Sequence, residues 1–251
     1  AVSDDGLYFT KKGNLLADNP QTLEKLFANC KSIIAIHSEK EQIVEENENL
    51  FREKYGEAVP AECHPLIRSE KACYEATKQA IDLANKYKAK LHILHLSTEA
   101  ETHLFRNDIP LEEKNITTEV SVHHLWFSDE DYARLDILIK WTPAIKTEKD
   151  KKGLLKALID DRIDIVTTDH APHSAEEKAQ NMEKAPFGIV GVETMLPIAL
   201  EFYHAGRVSL SDLLSKMTWR AAEIINFDGG ILEIGCRADF TVIDLNHEWT
   251  I

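Results

Sequence analysis

Three residues whose types could hold a divalent metal stand at the ends of short apolar runs. His37 follows Ile33, Ile34, Ala35 and Ile36; His95 closes Leu91 to Leu94; and Asp169 follows Ile163, Ile165 and Val166. A fourth acidic end, Asp4-Asp5, precedes Gly6. Imidazole and carboxylate together suit zinc or a similar ion, with positions left open for water and substrate. One histidine after a buried run is ordinarily a packed residue. Three such ends point to a cluster, because the C-terminal ends of parallel strands converge on one place.

The elements that must position these residues alternate along the chain. Strands are expected at 32–37, 90–97, 117–124 and 163–169, with a strand tail at 1–5, each read from a short apolar run with turn residues at its edges. Helices are expected at 20–28, 39–55, 69–88, 98–105, 129–138, 149–160, 194–205 and 211–225. The helix at 69–88 has the clearest pattern, with Ala72, Ala76, Ala80, Ile81 and Ala84 at helical spacing. Residues 140–144 read as extended, since Pro143 pushes Thr142 out of the helical region. Residues 235–245 alternate in the manner of a half-buried strand. Alternating strand and helix means βα units and a parallel sheet, here about five strands before the tail, either an open sheet or part of a barrel whose first strands are missing. Two units are expected: this α/β portion at 1–228, and at 229–251 the start of a small β unit.

Composition narrows the function classes. A formal net charge of −14 with no basic cluster argues against a nucleic-acid surface. No run of about 20 apolar residues offers a membrane span. Cys30, Cys63, Cys73 and Cys236 lack a C-x-x-C pair, which leaves reduced thiols in a cytoplasmic protein as the expectation. The opening residues, Ala1 to Gly6, lack a leader pattern and read as a start inside something longer.

Other candidates carry less. His92 is an odd number of residues from His95 and falls on the opposite strand face, a packing position. His123 and His124 stand at an expected strand end, suited to hydrogen bonding near a site more than to ligation. His64, His103, His204 and His247 lack partners at ligand spacing. Pro186 to Gly191 is a glycine loop leading into a helix, where backbone can approach a ligand and free N–H groups favour an anion.

Taken together, these residues resemble the dihydroorotases, cyclic amidases of the amidohydrolase superfamily. The resemblance rests on His95-Leu96-Ser97-Thr98, Val122-His123-His124-Leu125, Thr168-Asp169-His170-Ala171-Pro172-His173, the run from Pro186 to Thr194, and Ala238-Asp239-Phe240. It covers nearly the whole chain, and the Asp-His-Ala-Pro-His run is its most specific part.

The resemblance implies a (β/α)8 barrel of the amidohydrolase type and a zinc-dependent, reversible closure of N-carbamoyl-L-aspartate to dihydroorotate, a step of pyrimidine synthesis. One or two zinc ions are implied. His37 and His95 would hold one metal, and Asp169 would ligate the other and shuttle the proton. Asp5 would bridge, with Asp4 as the alternative. His173 would meet the substrate carboxylate, and the backbone at Phe187 and Gly188 the ring amide. Thr142 stands where the family usually has Asn, keeping a hydroxyl but losing the paired donor and acceptor of an amide. The partners implied are a small-molecule substrate and, as an open expectation, a second copy of the chain.

One departure is large: the family's His-x-His-x-Arg, from its first strand, occurs nowhere in the 251 residues. The chain is therefore expected to be the later portion of a longer enzyme, inactive alone. A hydantoinase or allantoinase and a metal-free structural homologue remain as alternatives.

Overall fold

The computed structural model describes residues 19–248, so Asp4, Asp5 and the expected strand tail at 1–5 lie outside the described residues. Four strands form one sheet in sequential order: β1 (Ile34–Ile36), β2 (Leu91–Ile93), β3 (Ile116–Ser121) and β4 (Ile165–Thr167). All three pairings are parallel, with Ile36 opposite Ile93, Ile93 opposite Thr118, and Ser121 opposite Thr167. Each strand leads through helical segments to the next, so consecutive parallel strands lie side by side, as in an arc of a barrel wall.

The helix Glu70–Tyr87 shows how sequence sets the packing. Ser69 caps it by accepting from the Ala72 N–H at 3.3 Å, and Lys88 ends it in a left-handed conformation with φ of 54°. Its buried face comprises Ala72, Cys73, Thr77, Ala80, Ile81 and Ala84, spacing that follows the helical repeat. The last three join Leu91, Ile93, Val120, Leu154, Leu158 and Ile163 in the main core. Burying each of the larger side chains there contributes roughly 1.5–3 kcal/mol before entropy is counted.

Several expected elements differ in form. His123 and His124 lie in a short helix, Val122–Trp126, because β3 stops at Ser121. The expected helix at 129–138 is divided by Asp136, whose φ of 47° is outside the helical region. That at 211–225 is split at Thr218 into Leu210–Met217 and Trp219–Ile225. Residues 140–144, expected as extended and extended at Lys140 (φ −67°, ψ 106°), pair with no strand, and their carbonyls serve other donors. Lys140 O accepts from the Gly188 N–H, Trp141 O from His64, Pro143 O from His124, and Ala144 O from Lys146.

The expected strand at 235–245 is absent. Its alternating apolar residues find no strand to pair with among the described residues, and Phe240 and Val242 are 68% and 96% exposed. No helix among the described residues is long and apolar enough to cross a membrane.

His64 gives the fold a pH dependence. Its Nε2–H donates to Trp141 O at 2.6 Å, and burial pushes the imidazole from 6.5 down to about 3 despite that bond. Between these values the unfolded chain binds a proton that the folded chain does not, so stability is lost as pH falls from 6.5 towards 3. Urea unfolding of His64→Gln is expected to lose less stability over this range than the parent, the difference approaching about 1.4 kcal/mol per pH unit. Equal slopes would exclude His64 as a source.

Candidate metal and substrate site

The parallel pairing of β1 with β2 decides which side chains meet. Ile36 and Ile93 are opposite, so the chain leaves both strands at the same sheet end and carries His37 and His95 there. His37 Nδ1 lies 3.1 Å from His95 Nε2, with the rings edge to face at 68°. Two nitrogens on one tetrahedral zinc, each at 2.0–2.1 Å, stand about 3.3 Å apart. The pair therefore fits two ligands of one ion. His95 is buried, its φ is 33°, and its Nδ1 has no hydrogen-bond partner. Among the described residues, no three His, Cys, Asp or Glu side chains converge into a metal-binding group.

Two acids that motif reading passed over surround the pair. Glu39 sits two residues beyond His37, and its side chain is only 2% exposed. One of its oxygens, Oε2, accepts from His37 Nε2 at 2.9 Å, from Arg68 Nη1 at 2.5 Å and from Thr142 Oγ1 at 2.9 Å. Burial alone would raise the Glu39 carboxyl, but the bond from His37 and the Arg68 guanidinium outweigh it and hold the group well below the usual carboxylate range. Glu119, on β3, accepts from the His95 backbone N–H at 3.3 Å and from Thr167 Oγ1 at 3.1 Å, and pairs with His92 at 3.1 Å. His92 is thus a buried partner of Glu119, away from the His37–His95 contact. The i, i+2 spacing from His37 was the available signal for Glu39; Arg68 offered none.

Asp169 leaves the end of β4 with a φ of 46°. Partial burial and then the Glu119 charge raise its carboxyl pKa, against a smaller pull from His37 and the Trp141 indole.

The remaining expected residues form a neighbouring group. His173 Nε2–H donates to Phe187 O at 2.9 Å, and His173 Nδ1 is 3.5 Å from Glu177. The Phe187 ring stacks on His64 at 5.7 Å and receives Arg68 at 4.8 Å and Lys140 Nζ at 4.2 Å. Arg68 thereby joins the two groups, reaching Glu39 from one side and Phe187 from the other. Thr142 is turned towards Glu39 and His37. The free N–H groups expected at the glycine loop are taken: Gly191 and Val192 donate to His170 Nδ1 at 2.9 and 3.2 Å. His123 and His124 bond to Val190 O and Pro143 O.

Gly188 has φ of +125°, and a Cβ there would stand 2.5 Å from Ala171 O. Both the backbone conformation and the contact exclude a side chain. Gly188→Ala is expected to cost about 1–3 kcal/mol, read as a lowered Tm. An unchanged Tm would mean that the 171–188 contact is dispensable.

Comparison with known proteins places the chain as a whole. Dihydroorotase from Ehrlichia canis is 42% identical over 164 residues, covering 64% of this chain and 36% of the relative. Dihydroorotase from Halalkalibacterium halodurans is 34% identical over 256 residues, covering 100% of this chain and 56% of the relative. The chain thus spans about half the length, or less, of these curated relatives. The fold is similar to that of L-hydantoinase (dihydropyrimidinase) from Arthrobacter aurescens, with a TM-score of 0.81 and 23% identity over 95% of this chain and 52% of that one. Dihydropyrimidinase from Brevibacillus agri matches with a TM-score of 0.79 and 20% identity, over 91% of this chain and 52% of that one. These likenesses identify the parallel sheet as part of a (β/α) barrel. The amidohydrolase family profile matches residues 24–250, and the chain belongs to the amidohydrolase family.

Proposed function

We propose that this chain is the portion of a dihydroorotase that supplies two metal-binding histidines and the proton-shuttling acid. The reaction is the reversible closure of N-carbamoyl-L-aspartate to dihydroorotate, in the cytoplasm, as a step of pyrimidine synthesis. The observation that carries this reading is the 3.1 Å approach of His37 Nδ1 to His95 Nε2 at one sheet end. The 34–42% identity to dihydroorotases supports the choice of cyclic amide.

His37 and His95 would hold zinc, Asp169 would serve a second position, and Asp5 or Asp4 would bridge. When bound, the metal supplies Lewis-acid polarisation of the amide carbonyl and acidifies water. Asp169 accepts the proton of the attacking water in the hydrolytic direction and delivers it to the ring nitrogen. A carboxyl with a raised pKa is the better base for that task. His173 binds the substrate carboxylate by exchanging its bond to Phe187 O, and the backbone at Phe187 and Gly188 meets the ring amide. Thr142, the substrate contact that the resemblance implies, turns its hydroxyl to Glu39 Oε2 at 2.9 Å.

The test measures dihydroorotate hydrolysis and bound zinc in the whole enzyme. Asp169→Asn is expected to lower kcat by about 10²–10⁴-fold. His173→Ala is expected to lose dihydroorotate hydrolysis while keeping its zinc. Hydrolysis of hydantoin in preference to dihydroorotate, unaffected by His173→Ala, would overturn the assignment.

A further inference from the structure

Resting on that reading of His37 as a metal ligand, we propose that Glu39 is a positioning residue that fixes the protonation and orientation of the His37 ring. Arg68 and Thr142 hold the Glu39 carboxylate in place, so Thr142 acts through Glu39 instead of touching substrate.

A neutral imidazole carries its one proton on either nitrogen, and only the bare nitrogen can ligate a metal. Glu39 Oε2 lies 2.9 Å from His37 Nε2, and an ionised carboxylate can only accept. The proton therefore sits on Nε2. That leaves a lone pair on Nδ1, the nitrogen aimed at His95 Nε2 across 3.1 Å. Without Glu39, either nitrogen could keep the proton, and the ring could turn about its bond to Cβ.

The carboxylate is itself constrained from three directions. His37, Arg68 and Thr142 all donate to the same oxygen, Oε2, from three separate parts of the chain. Cys73 approaches the other oxygen, Oε1, at 3.9 Å. A carboxylate whose side chain is 2% exposed needs such donors to remain charged, and the Arg68 guanidinium, 13% exposed, is the nearest counter-charge. The Thr142 hydroxyl has one proton. In donating it to Glu39 at 2.9 Å, it has none for a substrate carbonyl or carboxylate. The closer group to Thr142 Oγ1 is Glu39 Oε2, with His37 Nε2 at 3.5 Å. The amide lost by having Thr at this position is thus replaced by a shorter side chain turned towards the histidine. Buried carboxylates that orient ligating histidines typically govern metal affinity by about 10- to 100-fold.

The test uses the whole enzyme, labelled with ¹⁵N on histidine, stripped of metal and then titrated with zinc against a chromophoric chelator. Long-range ¹H–¹⁵N spectra, assigned with His37→Asn, report which His37 nitrogen holds the proton. The expected result is Nε2–H in the parent and a mixture of both forms in Glu39→Ala, with zinc affinity lowered about 10- to 100-fold. Glu39→Gln, which is isosteric and keeps an acceptor, is expected to retain Nε2–H and most of the affinity. A parent His37 protonated on Nδ1 would overturn the proposal without any variant. So would an unchanged tautomer and zinc affinity in a folded Glu39→Ala chain. If neither chain binds zinc while the tautomer shifts as expected, the positioning role of Glu39 stands and the metal-ligand reading of His37 fails.

Discussion

Parallel, in-register pairing of β1 and β2 is the constraint on which the site depends. Only because Ile34, Ala35 and Ile36 align with Leu91, His92 and Ile93 do residues 58 apart in sequence bring two imidazole nitrogens to 3.1 Å. A slip of one residue would turn every side chain of β1 to the other face. The apolar surroundings of Ile34, Leu91 and Ile93, which are 3%, 0% and 0% exposed, oppose such a slip. Core packing and site geometry are in this sense the same requirement.

Beyond the sheet, the site is held by buried polar groups that satisfy one another. Glu39 bonds the His37 ring and Glu119 the His95 main chain, and each is kept ionised by partners outweighing its desolvation. Lys140 and Lys178 are buried and donate to main-chain carbonyls: Lys140 to Met182 O and Ala185 O, Lys178 to Pro186 O. They anchor the loop that delivers Phe187 and Gly188. Carbonyls, with the Phe187 ring added for Lys140, compensate an ammonium poorly, and burial lowers both groups to about 8. The loop is thus secured by hydrogen bonds that require two ammonium groups to be buried.

Local pattern made much of this legible. Apolar runs located all four strands, and the spacing of Ala72, Ala80, Ile81 and Ala84 located the longest helix, because those signals arise within a few residues of chain. His37 and His95 were readable as strand ends. What the pattern could not carry was anything set by distant partners. Glu39 lies in a charged stretch, Arg68 sits in a short turn after Ile67, and neither is marked until the fold brings them together with Thr142. The tail at 235–245 shows the converse. Its alternation is genuine in sequence, but a strand exists only when a neighbour accepts its hydrogen bonds, and none of the described residues does so.

The position of Thr142 illustrates why residue-by-residue transfer from a family needs the structure. A side chain at a motif position inherits a place on the backbone, and its contacts follow from its length and donors. An amide at 142 would have offered both a donor and an acceptor; a hydroxyl two bonds from Cα offers one proton, and the strong acceptor it meets is a buried carboxylate. That carboxylate cannot easily release it, because each donor lost leaves Glu39 less compensated in a nearly dry position. The substitution therefore does more than weaken a substrate contact. It draws residue 142 into the support of His37, and with it the turn from Trp141 to Ala144, whose carbonyls are already bound to His64, His124 and Lys146.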